Sequence, residues 1–439
     1  MTGITLGRPA TMATRRSSAG AQPSGPAMVT IVGLNYQPEP TGIARYTTGL
    51  AHGLVQRGHN VRVISGYPHY PAWRIYDGYS GRTRKEDDDG VALTRVRHPV
   101  PAKPAMANRL FMELAFGLRA LTSSWGRADA AILVSPALIS TGIAGIKARM
   151  RGIPYAVWVQ DIYTLAARET ADSGMAARAL RSVERRVLGS ADSVVVIHDR
   201  FKSYLVSELG IAPEKIVVVR NWTHLTDNPR EDRESVRARR GWAPDDVIAL
   251  HAGNIGAKQG LENVVHASRI AARAGSSVRF VILGDGNQRA KLEAMGANAN
   301  LEFIDPLGDI EFESTLAAAD VLLVNELAGM TEMSVPSKLT SYFATGVPVV
   351  AATDASSTTA DEVLAAGAGP RVDPDDPAAL VNAIEQLAAD PAQARRYGES
   401  ALHYRHQVLG ADTAIDLLRG VVAGLARTHP LPSPVLTEA

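Results

Sequence analysis

An α/β chain of two Rossmann-like doubly wound domains facing across a cleft is predicted by three observations. The first is length: 439 residues exceed one average domain and suit two. The second is that short apolar runs alternate with stretches of helical period along most of the chain, the pattern of successive βαβ units. The third is that each half opens on a strand, a glycine-bearing turn and a helix. In doubly wound sheets ligands bind at such turns, beyond the carboxyl ends of the strands.

Composition narrows the function classes. Hydrophobic residues make up 46%, enough for sizeable cores. Lys+Arg 46 against Asp+Glu 45 leaves a net charge of +1, which excludes a global nucleic-acid footprint. Cys 0 excludes disulfides, a thiolate nucleophile and a Cys-based zinc site, and fits a cytoplasmic protein. No apolar run reaches the roughly 18–20 residues of a spanning helix. Residues 1–27 hold Arg8, Arg15 and Arg16 among Ser, Pro, Gly and Ala, with no acidic residue and no apolar h-region. They read as a disordered tail or an early start codon, with Met28 beginning the fold.

In the first half, Met28–Leu34 is a strand, Asn35–Ala44 a Pro/Gly loop, and a helix carrying Tyr46, Leu50 and Leu54 follows. Arg57-Gly58-His59 closes it and Val61–Ile64 is the next strand. Gly42 then lies at the ligand-binding end of the sheet, or is a plain turn glycine. Residues 66–105 read as irregular. Asp87, Asp88 and Asp89 within them fit a solvated turn better than a metal-carboxylate motif.

Residues 108–125 predict a helix with two apolar sides: Leu110, Leu114, Leu118, Leu121 and Trp125 on one, Met112 and Phe116 on the other beside Arg119. One sheet needs one apolar face. The second either touches a membrane surface, with Lys103, Arg109 and Arg119 near lipid phosphates, or is sandwiched inside the protein. Further strands are expected at Ala130–Val134, Tyr155–Val159, Ser193–Ile197 and Ile216–Val219. Asp161 follows the second of these, a carboxylate at the mouth of the sheet. His198 follows the third, as a helix N-cap or turn residue.

Polar residues 223–246 link to the second half. There the strand Val247–Leu250 runs into His251-Ala-Gly-Asn-Ile-Gly-Ala-Lys-Gln-Gly-Leu-Glu-Asn263, and Leu261, Val264, Val265 and Ala272 continue as a helix face. Gly253, Gly256 and Gly260 permit close backbone approach, the helix start offers free N–H groups, and Lys258 adds a cation. A phosphate or diphosphate fits this turn, and an ordinary βα turn fits the spacing equally. Strands at Val278–Leu283, Leu301–Ile304, Val321–Val324 and Val347–Val350 follow, then helices at Ala379–Ala389 and about 392–426.

Several strings together resemble the retaining glycosyltransferases of family four, and among them the colanic-acid and O-antigen type. They are Asn35-Tyr-x-Pro-Glu-x-Thr-Gly-Ile43, Gly58-His59, Gln160-Asp161, Asn221-Trp222, the Gly253–Asn263 turn, Gly284-x-Gly286, and Pro336-Ser-Lys-Leu-Thr340 with Gly346. The resemblance spans about residues 28–425. It implies the GT-B fold: an acceptor domain at 28–225, a nucleotide-sugar domain at 226–395, a helix at 396–427 packing back on the first domain, and a loose tail at 428–439. It implies a GDP- or UDP-linked sugar donor, no metal ion and no other cofactor.

Residue by residue, the resemblance places Gly42 beside the donor diphosphate, and Asn254 where many relatives carry a phosphate-binding Arg. Gln259 stands where the usual Lys would be, one position after Lys258, and either can serve. Gly253, Gly256, Gly284 and Gly286 form the phosphate turns, and Phe303 to Leu307 border the base. Ser337, Lys338 and Leu339 lie near phosphates and ribose. Asp161, Lys258 and Lys338 are the catalytic candidates. Met333 and Ser341 replace the paired Glu of most members, and Gln160 replaces a common His, departures that touch ribose and sugar contacts. The implied function is transfer of a hexose-type sugar to a glycan acceptor, lipid-linked, in cell-envelope polysaccharide synthesis, by a cytoplasmic protein peripheral to the membrane. A GT-B-fold sugar-nucleotide epimerase and a non-catalytic nucleotide-sugar-binding subunit are the alternatives.

Overall fold

A computed structural model of the protein describes residues 25–102, 106–164, 174–222, 230–296, 298–329 and 338–428. Two sheets organise them. The first contains β1 (Met28–Val32), β2 (Asn60–Gly66), β3 (Thr83–Asp88), β4 (Val91–Val96), β5 (Ala130–Ser135), β6 (Tyr155–Val159), β7 (Ser193–Val196) and β8 (Ile216–Val218). Their spatial order is β3-β4-β2-β1-β5-β6-β7-β8, parallel except for β3 against β4. Helices α1 (Gly42–Gln56), α2 (Met106–Thr122), α3 (Leu138–Met150), α4 (Met175–Gly189) and α5 (Asp199–Ser207) belong to this half. Every residue of β5 and of β6 is buried, as expected of parallel strands covered on both faces.

The second sheet contains β9 (Val247–Ala252), β10 (Val278–Leu283), β11 (Leu301–Ile304), β12 (Val321–Asn325), β13 (Val349–Ala352) and β14 (Arg371–Val372), all parallel, in the order β11-β10-β9-β12-β13-β14. Its helices are α6 (Arg233–Arg240), α7 (Glu262–Ala274), α8 (Arg289–Ala294), α9 (Asp309–Ala318), α10 (Lys338–Phe343), α11 (Thr358–Ala366), α12 (Pro377–Ala389) and α13 (Pro391–Gln407), with α14 (Ala411–Thr428) last. The order reverses direction between β1 and β5 in one sheet and between β9 and β12 in the other. These two switch points are where a doubly wound fold leaves room for ligands.

The C-terminal ends of the sheets meet at a buried polar cluster. Glu362 on α11 accepts from Arg220 at 2.7 Å and from the Tyr404 hydroxyl at 3.0 Å, with His198 Nε2 3.5 Å away. Arg200 reaches Asp361 and the Ser356 and Ser357 carbonyls. His198 caps α5, its Nδ1 accepting from the Arg200 N–H, so the helix-cap reading of His198 holds.

Three differences from the sequence reading have clear causes. Residues 83–96 are an antiparallel hairpin, not irregular chain: Asp89 and Gly90 both take positive φ, 50° and 86°, as a tight hairpin turn requires. Asp88 there accepts from Tyr36, Gln37 and His52, which ties the Asn35–Pro40 loop and α1 to the sheet edge. The C-terminal helical stretch is broken at 408–410. α13 stays on the second domain, where a side chain at Gly398 would meet the Gly346 carbonyl at 1.9 Å. Only α14 crosses back, placing Ala414, Leu418, Val422 and Leu425 in the first domain's core, with Asp412 and Asp416 on Arg57.

The third difference is the orientation of α2. Met112 and Phe116, which the pattern left either to a membrane or to the protein interior, are buried at 4% and 1% exposure, so the interior reading holds, while Phe111 at 61%, Leu114 and Leu118 face solvent. Gly117 and Ala120 decide this: their small size lets α3 approach until a side chain at Gly117 would meet Ile143 at 2.8 Å. Close helix packing is driven by that fit, not by which stripe holds more leucine.

Candidate functional site

The first switch point opens on a cavity of about 370 Å³, lined at the sheet by Leu34, Asn35, Val134, Pro136, Ala137 and Asp161. Such a volume suits a small polar ligand or one end of a larger one. Its rim is made rigid by Glu39. This buried carboxylate accepts from His69 N–H at 2.8 Å, Tyr70 N–H at 2.9 Å and the Asn35 amide at 2.8 Å, clamping the loop after β1 to the loop after β2. Trp73 and Tyr70 add aromatic walls, and the Arg109 guanidinium lies 5.6 Å from the Trp73 ring centre.

Glu113 of α2 reaches into the same cavity. One oxygen accepts from the Ile139 N–H at 3.0 Å and the other from the Tyr163 hydroxyl at 3.3 Å. Burial pushes this carboxyl up to about 7, against the Ile139 and Tyr163 hydrogen bonds and the Arg109 charge, which pull it down. Asp161 lies at the mouth, exposed, with its own side chain bonded to the Ile162 N–H at 2.8 Å. Gln160 is buried and accepts from Asn221 at 2.9 Å, while Trp222 stacks on Trp158 and meets Tyr46 edge-on. The Asn221-Trp222 string therefore supports β6 and α1 from below.

The second switch point carries the glycine turn. The Gln259 side-chain oxygen accepts from the Gly256 N–H at 3.1 Å. The Asn325 amide donates to the Gln259 and Gly260 carbonyls at 2.9 and 3.0 Å, and accepts from Asn263 at 2.8 Å. This locks the turn to the end of β12. Asn254 and Lys258 are exposed on its outer side. The neighbouring turn after β10 lies directly against it: Ile255 N–H donates to the Asp285 carbonyl and Gln288 N–H to the Ile255 carbonyl. Gly284 and Gly286 have no room for a side chain, because a Cβ would fall 1.9 Å from the Gly253 oxygen and 2.4 Å from the Ile255 oxygen.

Lys338, at the start of α10, crosses over this turn. Its Nζ is 3.2 Å from His251 Nε2, and its stem passes 3.7 Å from where a Gly253 side chain would begin. Burial pushes Lys338 down to about 8, and Glu326 pulls it back up. A cation and two backbone turns thus meet on one side of the second sheet, an arrangement suited to anionic groups.

The candidate residues sort by position. Gly253, Asn254, Gly256, Lys258, Gln259 and Lys338 gather at the second switch point. Gly42, exposed at the start of α1, and Asp161 belong to the first sheet's C-terminal end. Gln259 acts in its own turn as a brace. Leu307 is half-buried against the second domain's core. The Leu339 side chain is fully buried with Tyr342 and Phe343, on the inner stripe of α10, so a ligand contact from this residue falls to its backbone at the helix start. Ser337 lies outside the described residues. Sequence reasoning passed over Glu39, Glu113, Tyr163 and His251. His251 left a trace as a lone polar residue after an apolar run, and Glu39 as the Glu of the Asn35–Ile43 string.

Two substrates can be brought together here: one in a polar, aromatic cavity of the first domain, the other at an anion-accepting turn of the second. That defines a transferase of the two-Rossmann-domain class. Residues 41–222 match the family described as glycosyl transferase 4-like domain, and residues 232–403 match glycosyl transferases group 1. The chain belongs to this glycosyltransferase family. WcaI of Escherichia coli, assigned to colanic acid biosynthesis as a glycosyl transferase, is 28% identical over 398 residues, 85% of this chain and 96% of its own. Among solved structures, sucrose-phosphate synthase from Thermosynechococcus elongatus superposes with a TM-score of 0.69 at 17% identity, covering 92% of this chain and all of that one. Anabaena HepE in complex with UDP-glucose gives 0.64 at 15% identity, covering 91% and 100%. The fold is GT-B. Among the described residues no helix is long and apolar enough to cross a membrane.

Proposed function

We propose that the protein is a retaining, metal-independent glycosyltransferase. It takes a hexose-type sugar from a GDP- or UDP-linked donor and places it on a lipid-linked glycan acceptor in cell-envelope polysaccharide synthesis. The observation that carries this is Lys338 lying over the Gly253–Gly260 turn at one switch point, with a polar cavity at the other. The names of the relatives support the rest: WcaI is assigned to colanic acid, and HepE is described with UDP-glucose.

The chemistry asks for charge stabilisation. As the anomeric C–O bond breaks, negative charge grows on the leaving diphosphate; we assign its stabilisation to Lys338, with Lys258 and the backbone N–H groups at the start of α1 beside Gly42 as further candidates. Asp161 borders the acceptor cavity, where its carboxylate orients the attacking hydroxyl or favours the oxocarbenium-like sugar. Front-face attack, with the leaving phosphate oxygen taking the proton, retains configuration without a second carboxylate. A thermal-shift panel with UDP, GDP, dTDP and CDP tests the reading. One nucleoside diphosphate at 100 times its Kd should stabilise the protein by about 2.7 kcal/mol, and its sugar conjugate should then be turned over with a glycan acceptor. No shift with any of the four would overturn it.

Membrane contact is part of the proposal, through the face that α2 actually presents. Phe111, Leu114 and Leu118 of α2 stand exposed, and Arg149 and Arg151 are exposed at the end of α3, the helix packed against α2. Exposed apolar side chains on one helix and basic ones on its neighbour suit an anionic lipid surface. Phe111→Asp with Leu118→Asp is expected to abolish co-sedimentation with phosphatidylglycerol vesicles while leaving Tm within about 1 °C, since both side chains already face water. Undiminished sedimentation would remove the membrane from the proposal.

A further inference from the structure

His251 is the one fully buried histidine of β9, and packing does not account for it. The positions before it, Val247–Leu250, are apolar, and its partner in register on β10 is Ile282. Its Nε2 instead lies 3.2 Å from Lys338 Nζ. Burial first, and the Lys338 charge second, hold the imidazole well below its ordinary value, so the ring is neutral. A neutral ring facing an ammonium must present the Nε2 lone pair, which leaves the proton on Nδ1. Backbone hydrogen bonds at Leu323 and Asn254 act on the ring in the opposite direction, raising its value, and help fix its orientation.

Resting on the donor reading above, we propose that His251 is a positioning residue: its Nε2 accepts a hydrogen bond from the Lys338 ammonium and holds it over the Gly253 turn, aimed at the donor diphosphate. Among the described residues, two titratable groups act directly on Lys338. His251 faces it from β9, and Glu326 acts on it from the end of β12. Tyr342, one turn further along α10, is spent on the Ala252 N–H and carbonyl and the Leu323 carbonyl. Glu326 also accepts from the Thr359 hydroxyl. It supplies countercharge, and His251 supplies direction. A lysine has four flexible bonds, so a fixed acceptor inside the sheet removes disorder before the substrate arrives.

Calorimetric titration separates positioning from mere stability. Wild type, His251→Leu and His251→Gln are titrated with the nucleoside diphosphate and with its parent nucleoside. His251→Leu should weaken the diphosphate about tenfold or more and leave the nucleoside unchanged, the effect of losing a charge-assisted hydrogen bond. His251→Gln, whose amide oxygen reaches the Nε2 place, should restore most of the affinity. Adding His251→Leu to Lys338→Met should cost nothing further, the mark of a coupled pair. If His251→Leu does not fold, His251→Phe fills the space and carries the same prediction. Equal weakening of diphosphate and nucleoside, or full additivity with Lys338→Met, would overturn the assignment. A wild type that binds no nucleoside diphosphate sinks the donor reading and this proposal together. Tight wild-type binding with an unaffected His251→Leu sinks this proposal alone.

Discussion

Lys338→Met is expected to lower kcat/KM for the donor by about 10²–10³-fold, the range seen when one preorganised charge-stabilising group is removed. The side chain loses its ammonium and keeps its length, and α10 should remain folded because Leu339, Tyr342 and Phe343 supply its anchoring. The same lysine sets a pH dependence whose two parts have opposite sign. Burial has lowered its folded value from 10.5 to about 8, so the charge on the diphosphate site is lost as pH rises through about 8 and donor affinity falls. Between about 8 and 10.5 the unfolded chain binds a proton that the folded one does not, so this group's contribution to stability rises over that window. Lys338→Met should abolish both effects. A donor kcat/KM that falls less than fivefold, with the alkaline limb intact, would mean that Lys338 is not the phosphate cation.

Gly284→Ala is expected to cost about 2–5 kcal/mol in the second domain's stability and to abolish nucleoside diphosphate binding. Two penalties act together. The backbone sits at φ 140°, and the new Cβ would lie 1.9 Å from the Gly253 carbonyl oxygen. The turn must retreat, and it takes with it the Gly253 N–H bond to Leu283 and the paired Ile255 and Asp285 backbones. Gly420→Ala is the control. It lies inside α14 with nothing within 4 Å of the added carbon, and should stabilise by about 0.5–1 kcal/mol. Calorimetry that resolves two transitions would show the first substitution lowering one of them and the second raising Tm. A Gly284→Ala protein with wild-type Tm and nucleotide affinity would mean that the two turns are not the rigid pair described above.

Much of this was readable from residue order. The alternation of buried strands and helices is local, because a strand buried on both faces must be a continuous apolar run, as in Ala130–Ser135 and Tyr155–Val159. The glycine turn after Val247–Ala252 is local too, since strand, glycines and helix are consecutive. Its place at a switch point follows from connectivity. Charge of one sign or the other decided little. Asp87–Asp89 read as a solvated turn, yet Asp88 accepts three hydrogen bonds from residues 36 to 52 positions earlier in the chain. Nothing in the run itself could announce those partners.

What the sequence by itself determined is the succession of elements, the two-domain α/β class, the family, and the strands on which phosphate-type turns sit. Each depends on residues within about one helical or strand period of one another. Tertiary structure alone decided which stripe of α2 faces water, because that turned on Gly117 meeting Ile143 across a helix pair. It decided that Leu339 is core and that α13 stays behind while α14 crosses. It decided that Glu39 ties two loops, and that Lys338 rests on His251, a residue 87 positions before it in the chain. Side-chain contacts across such separations cost chain entropy and are set by the packing of the whole domain, so no local pattern encodes them.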